Sequence, residues 1–131
     1  MSNRVAILAS QGDQFTAYKV LNLATAAAST EKEVAIFFTF EGLYLIHKEK
    51  MQQLPMPQGR EDLAEGFAKA KIPSISQMIK MAQEMGVRLI GCQMSMDVMG
   101  MTKDDLLDGV EVGGAVTFLE YAKDAAPTIT F

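Results

Sequence analysis

The chain has one cysteine and one histidine in 131 residues. A single cysteine excludes an intramolecular disulfide and any zinc site built from cysteines. A lone thiol also suits a reducing cytoplasm. No run of lysine and arginine interrupts a net charge of −4. Nucleic-acid binding draws on a basic stripe to neutralise phosphates, so nucleic acid is not an expected partner. No apolar stretch reaches the roughly 18–20 residues that span a bilayer. Residues 1–4 lead straight into a strand-like run without a signal-peptide core. The expectation is a cytoplasmic protein with no membrane partner. Phosphate loops are missing too: Gly113-Gly114 lacks a P-loop lysine, and Ser10-Gln11-Gly12 is not GxGxxG. No Asp, Glu and His cluster has metal-site spacing, so no metal is expected.

What is present fits one globular domain over residues 1–131. Hydrophobic residues make up 49% of the chain and charged residues 21%, enough to build a core without staples. Val5–Ala9, Val34–Phe40 and Val87–Cys92 are short continuous apolar runs, the pattern of strands buried on both faces. Between the first two, Asp13 caps a helix whose face is Ala17, Val20, Leu21, Ala24, Ala27 and Ala28. Leu43 to about Met51 has the spacing of a shorter helix. Pro55, Pro57, Gly59 and Pro73 break the stretch 52–73, read as an excursion or flap with one helix near 61–69. Ser74 and Gln77 form a capping-box pattern before Ile75, Met78, Ile79, Ala82 and Met85. Gln93–Met101 reads as a methionine-rich turn, and Thr102 with Asp105 as the cap of another short helix. Val112, Ala115, Val116, Leu119 and Ala122 suggest a last helical face, and residues 127–131 a final strand. Strands alternating with helices imply a three-layer α/β/α fold: a mostly parallel sheet of four or five strands, helices on both faces.

In such sheets ligands bind outside the carboxyl ends of the strands. Three of those ends are legible, and they bring Ser10, Gly12, Thr39, Glu41, Gly42, Cys92, Gln93 and Met94 toward one shallow pocket. Cys92 is the chemically distinctive member. Backbone N–H groups of a following turn stabilise a thiolate, while a carboxylate at Glu41 opposes it. The competing reading is a buried structural cysteine in a binding or scaffold module. His47 is either a proton shuttle near the thiol or a half-buried surface residue. Met94, Met96, Met99 and Met101 follow Cys92, and thiolate with thioethers suits Cu(I), although methionine is also a common core filler.

Three blocks carry a family resemblance: Phe38-Thr39-Phe40-Glu41-Gly42-Leu43, Cys92-Gln93-Met94-Ser95-Met96-Asp97-Val98-Met99-Gly100-Met101, and Asp108-Gly109-Val110-Glu111-Val112-Gly113-Gly114. They resemble the DsrE/DsrF-like family, in the branch often labelled predicted peroxiredoxin. The resemblance covers nearly the whole chain, and the cysteine block is its most specific part. It implies a parallel α/β/α sandwich, assembly into oligomers (here a homo-oligomer), and sulfur carried on Cys92 as a persulfide between donor and acceptor proteins. Carrying sulfur on one thiolate takes no cofactor. Peroxidase chemistry does not follow, because Cys92 lacks the threonine/arginine setting of a peroxidatic cysteine.

Overall fold

The computed structural model describes residues 3–131, so Met1 and Ser2, part of the leading segment read above, lie outside it. Its centre is a five-stranded sheet in the order β4-β3-β2-β1-β5, with every pairing parallel. The strands are β1 (Arg4–Ala9), β2 (Glu33–Phe38), β3 (Arg88–Cys92), β4 (Glu111–Gly113) and β5 (Thr128–Thr130). The α-helices are α1 (Gln14–Ser29), α2 (Ala64–Ala70), α3 (Ile75–Glu84), α4 (Gln93–Met99) and α5 (Ala115–Ala122).

Topology determines which face each helix covers. From β1 to β4 the chain steps across the sheet in one direction, then returns past β1 to place β5 at the far edge. Right-handed crossovers put helices on one face for the outward steps and on the other for the return. Accordingly α1 and α3 pack together, and their Ala17, Val20, Leu21, Ala24, Ile79 and Ala82 join Val5, Ile7, Ile36, Phe38 and Leu89 in the larger core. The opposite face holds a smaller cluster of Ala6, Ala35, Phe37, Ile90, Cys92 and Tyr121, covered by α5 through Phe118 and Ala122.

Local signals explain the outward helices. Asp13 accepts the Thr16 N–H at 2.9 Å and so caps α1. Ser74 and Gln77 close a reciprocal capping box on α3, at 3.1 and 2.8 Å.

Four expectations need correction. The apolar spacing in 43–51 does not make an α-helix; it makes tight 3₁₀ segments, Phe40–Ile46 and Lys50–Gln53. Leu107 N–H bonds to the Ile46 carbonyl and His47 bridges to Leu106, so the incoming 102–107 segment takes up groups a longer helix would have used. Gln93–Met99 is a helix rather than a turn, ended by Gly100 in the left-handed conformation at φ 69°. Val112 lies in β4, not on a helix. Most of the α5 face read as buried points outward: Val116 is 72% and Leu119 63% exposed, while Ala122 packs inward as read, together with Phe118 and Tyr121.

Candidate functional site

Because all strands are parallel, Ala9, Phe38, Cys92 and Gly113 end at one edge of the sheet. Cys92 is both the last residue of β3 and the N-cap of α4. It pairs with Gly113 on β4, and the preceding Gly91 pairs with Phe38 on β2. One step further along β2 is Thr39, and Ser10 stands one step beyond the Ala9–Phe38 pair. Strand alternation gives Cys92 the same face as Ile90, the one covered by α5. Its side chain is only 6% exposed and belongs to the cluster that holds Phe37 and Ile90; Phe37 and Phe118 meet at a tilt, with ring centroids 5.5 Å apart.

The other predicted residues divide into two groups. Ser10 ties the edge to the chain's last residue: its Oγ and N–H both donate to the Phe131 carbonyl, at 2.7 and 2.9 Å. Thr39 N–H donates to Ala9 O at 2.9 Å, and Gly42 N–H to Thr39 O at 2.8 Å. Phe40 takes a left-handed φ of 46° to turn the chain there. Gly42 then sits so close to the Ala9 carbonyl that any side chain would collide with it. A Cβ on Gly12 would lie 2.5 Å from the Glu41 carbonyl oxygen, which brings the first two strand-end loops into direct contact. Gly12 and Glu41 open into a hollow of about 210 Å³ with Tyr44, Lys50, Gln53, Leu54 and Pro55. Cys92, Ser10, Thr39, Gln93 and Met94 do not line it. Gln93 is exposed and donates to Asp97 at 2.8 Å, while Met94 is 62% exposed beside the buried thiol.

Two further readings are resolved by geometry. Met96 and Met101 belong to the core on the α1 side, across the sheet from Cys92, so thiol and buried thioethers do not assemble a copper cage. His47 Nδ1 accepts the N–H groups of Glu49 and Lys50 at 3.1 and 3.2 Å, which makes it a turn cap. Nearby, the Thr102 backbone N–H bonds Asp105 and holds its carboxyl below the usual range.

The α5 residues that pack on this face were missed. Phe118 and Tyr121 belong to α5, and their inward side was hidden because α5 is apolar on both sides. The Tyr121 ring lies under Arg4 at 4.8 Å and Arg88 at 5.7 Å, and burial raises its phenol pKa. Its hydroxyl is buried without a hydrogen-bond partner among the described residues, as is that of Ser95, one turn into α4.

The family model for DsrE/DsrF/DrsH-like proteins matches this sequence over residues 1–69 and 50–129. The chain belongs to the DsrE/DsrF/DrsH-like family. Among its relatives is sulfur carrier protein DsrE2 of Allochromatium vinosum, 32% identical over 149 aligned positions that cover 93% of this chain and 94% of that one. The Bacillus subtilis protein YrkE is 30% identical, with 95% and 94% covered. The fold of this DsrE/DsrF/DrsH-like chain matches Escherichia coli ychN with a TM-score of 0.73 at 20% identity over the full length of both. It also matches MTH1491 of Methanobacterium thermoautotrophicum, with a TM-score of 0.70 at 17% identity and 98% of each chain covered. The two family-matched stretches overlap at 50–69, within the excursion between β2 and α3. Among the described residues no helix is long and apolar enough to cross a membrane.

Proposed function

We propose that this protein is a sulfur carrier that holds sulfane sulfur on Cys92 as a persulfide. The observation that carries the reading is the position of the chain's one thiol: it ends a strand at the sheet's C-terminal edge, in a relative of a named sulfur carrier. The Cys92 thiolate attacks the outer sulfur of a donor persulfide. The donor's S–S bond breaks with its electron pair on the donor thiolate, and a new S–S bond forms at Cys92. An acceptor thiolate then attacks the outer sulfur and frees the Cys92 thiolate. Neither exchange consumes an external oxidant or reductant, so one cysteine is sufficient.

Burial in the cluster with Phe37 and Ile90 protects the persulfide between exchanges. Access comes from the β4 side, where Gly113 and Gly114 put no side chains beyond the backbone. Acting units are homo-oligomers joined through the apolar outer surfaces of α4 and α5, where Met94, Val98, Val116 and Leu119 are all more than half exposed. Donor and acceptor are proteins that dock at the same strand edge.

Mass spectrometry of the folded protein after incubation with a persulfide donor is expected to show one added sulfur, about 32 Da, absent in Cys92→Ser. A native protein that resists both the donor and small alkylating agents, while denatured protein reacts at once, would overturn the reading and leave Cys92 as packing in a binding module.

A further inference from the structure

We propose that residues 56–72 form a hinged strap that opens as one unit while the sheet stays folded, with Phe67 as its latch. No residue from 55 to 77 is buried. The strap therefore contributes nothing to either core, and α2 and the 3₁₀ turn before it have no buried residue of their own. Left-handed backbone brackets it, with Gly59 at φ 83° and Lys71 at φ 54°.

The first turns of α1 supply the described attachments. At the entry, Gln14 N–H bonds Pro55 O and Gln14 Nε2 bonds Leu54 O, both at 2.9 Å. At the exit, the Tyr18 hydroxyl bonds Pro73 O at 3.1 Å. Between them Phe67 stacks on Tyr18 at 5.0 Å and lies 5.9 Å from Phe15. The ion pairs within the strap, Lys69–Glu65 and Arg60–Asp62, are surface pairs that hold it to itself rather than to the body.

The strap is also undercut. A cleft of about 410 Å³ lies beside Phe67 between Tyr18, Asn22, Ile72 and Met78, and another of about 450 Å³ lies under its ends, lined by Gln14, Leu54, Ser74 and Ile75. Opening joins these to the hollow at Gly12 and Glu41, which shares Leu54 and Pro55 with the strap's entry. An element held by the ring contacts of one side chain and end hydrogen bonds lies at the low-stability end of a fold and opens locally without global unfolding.

Brief trypsin digestion of the folded protein tests this, together with hydrogen exchange read by mass spectrometry. First cuts are expected after Arg60, Lys69 or Lys71, with α1, α3 and the sheet intact. Phe67→Ala is expected to speed those cuts about tenfold, the scale of losing a ring stack with its burial. Amides of 61–70 should exchange faster together, with strand amides unchanged. Phe67 belongs to neither core, so the strand amides also report that the variant is folded. Equal cleavage of wild type and Phe67→Ala, or strap amides protected as strongly as those of α3, would overturn the proposal.

Discussion

Cys92 faces Gly113 directly across the β3–β4 ladder, and the absence of a side chain at 113 is enforced by Thr117. A Cβ at 113 would come within 2.9 Å of Thr117 Oγ1, the atom that accepts the Gly114 N–H at 3.1 Å and so holds the start of α5. Threonine is stiff at χ1 and cannot swing away cheaply. Gly113→Ala is therefore expected to cost about 1–3 kcal/mol and to slow alkylation of native Cys92. Adding Thr117→Ala should recover much of that loss, a coupling that denaturant titration of the double-mutant cycle would measure. Strict additivity of the two substitutions would refute the steric link.

At the opposite end of the same two strands, Arg88 donates twice to Glu111, at 2.9 and 2.8 Å. These bonds hold the Glu111 carboxyl below its usual value, although burial opposes them. A folded value below the unfolded one stabilises the protein above about pH 4.3, and that stability is lost as pH falls through the folded value. Both side chains are nearly half exposed, so solvent screening limits the contribution to less than about 1 kcal/mol. Melting curves of wild type and Glu111→Gln are expected to differ slightly at pH 6 and to converge as pH falls through the folded value. A gap that persists once acid has protonated the carboxyl would mean the bonds act through packing instead.

The three central strands were legible because each is a continuous apolar run, which only a doubly covered strand tolerates. Their ends were equally legible, and parallel pairing made those ends one edge. β4 was not, because three residues with a single half-buried Val112 carry no run, and the spacing of Val112 to Ala115 and Val116 matched a helical face. Which face Cys92 occupies needed the strand order and register, neither of which hydrophobic period encodes. The same gap explains why Gly12 with Glu41 and Cys92 share an edge but face different spaces. On α5, residues 115, 116, 118, 119, 121 and 122 are apolar around most of the helix, so periodicity selected the outward set.

That outward set predicts assembly. Val116 and Leu119 are 72% and 63% exposed on α5, and Val98 is 70% exposed on α4. Light scattering at micromolar concentration is expected to report a homo-oligomer. Val116→Glu with Leu119→Glu should yield monomers of unchanged circular dichroism, since neither side chain supports the core. A wild-type monomer, or a double variant of unchanged mass, would place the contact elsewhere or abolish it.

Cys92→Ser separates chemistry from packing. A thiol on an open pocket wall would be replaced by a hydroxyl at almost no cost. Cys92 is instead 6% exposed in the cluster with Phe37 and Ile90, where a hydroxyl loses water without a sure partner. The variant is expected to lose about 1–2 kcal/mol in urea unfolding. Cys92→Ala should lose a similar or smaller amount, because it removes volume but buries no polar group. Both variants should lose persulfide loading completely. Stability and sulfur transfer would then rank the variants differently: alanine at least as stable as serine, the two equally inactive. A serine variant as stable as wild type would show that water already reaches the sulfur. Retained loading in either variant would move the sulfur-accepting atom away from Cys92 and end its claim to be the carrier.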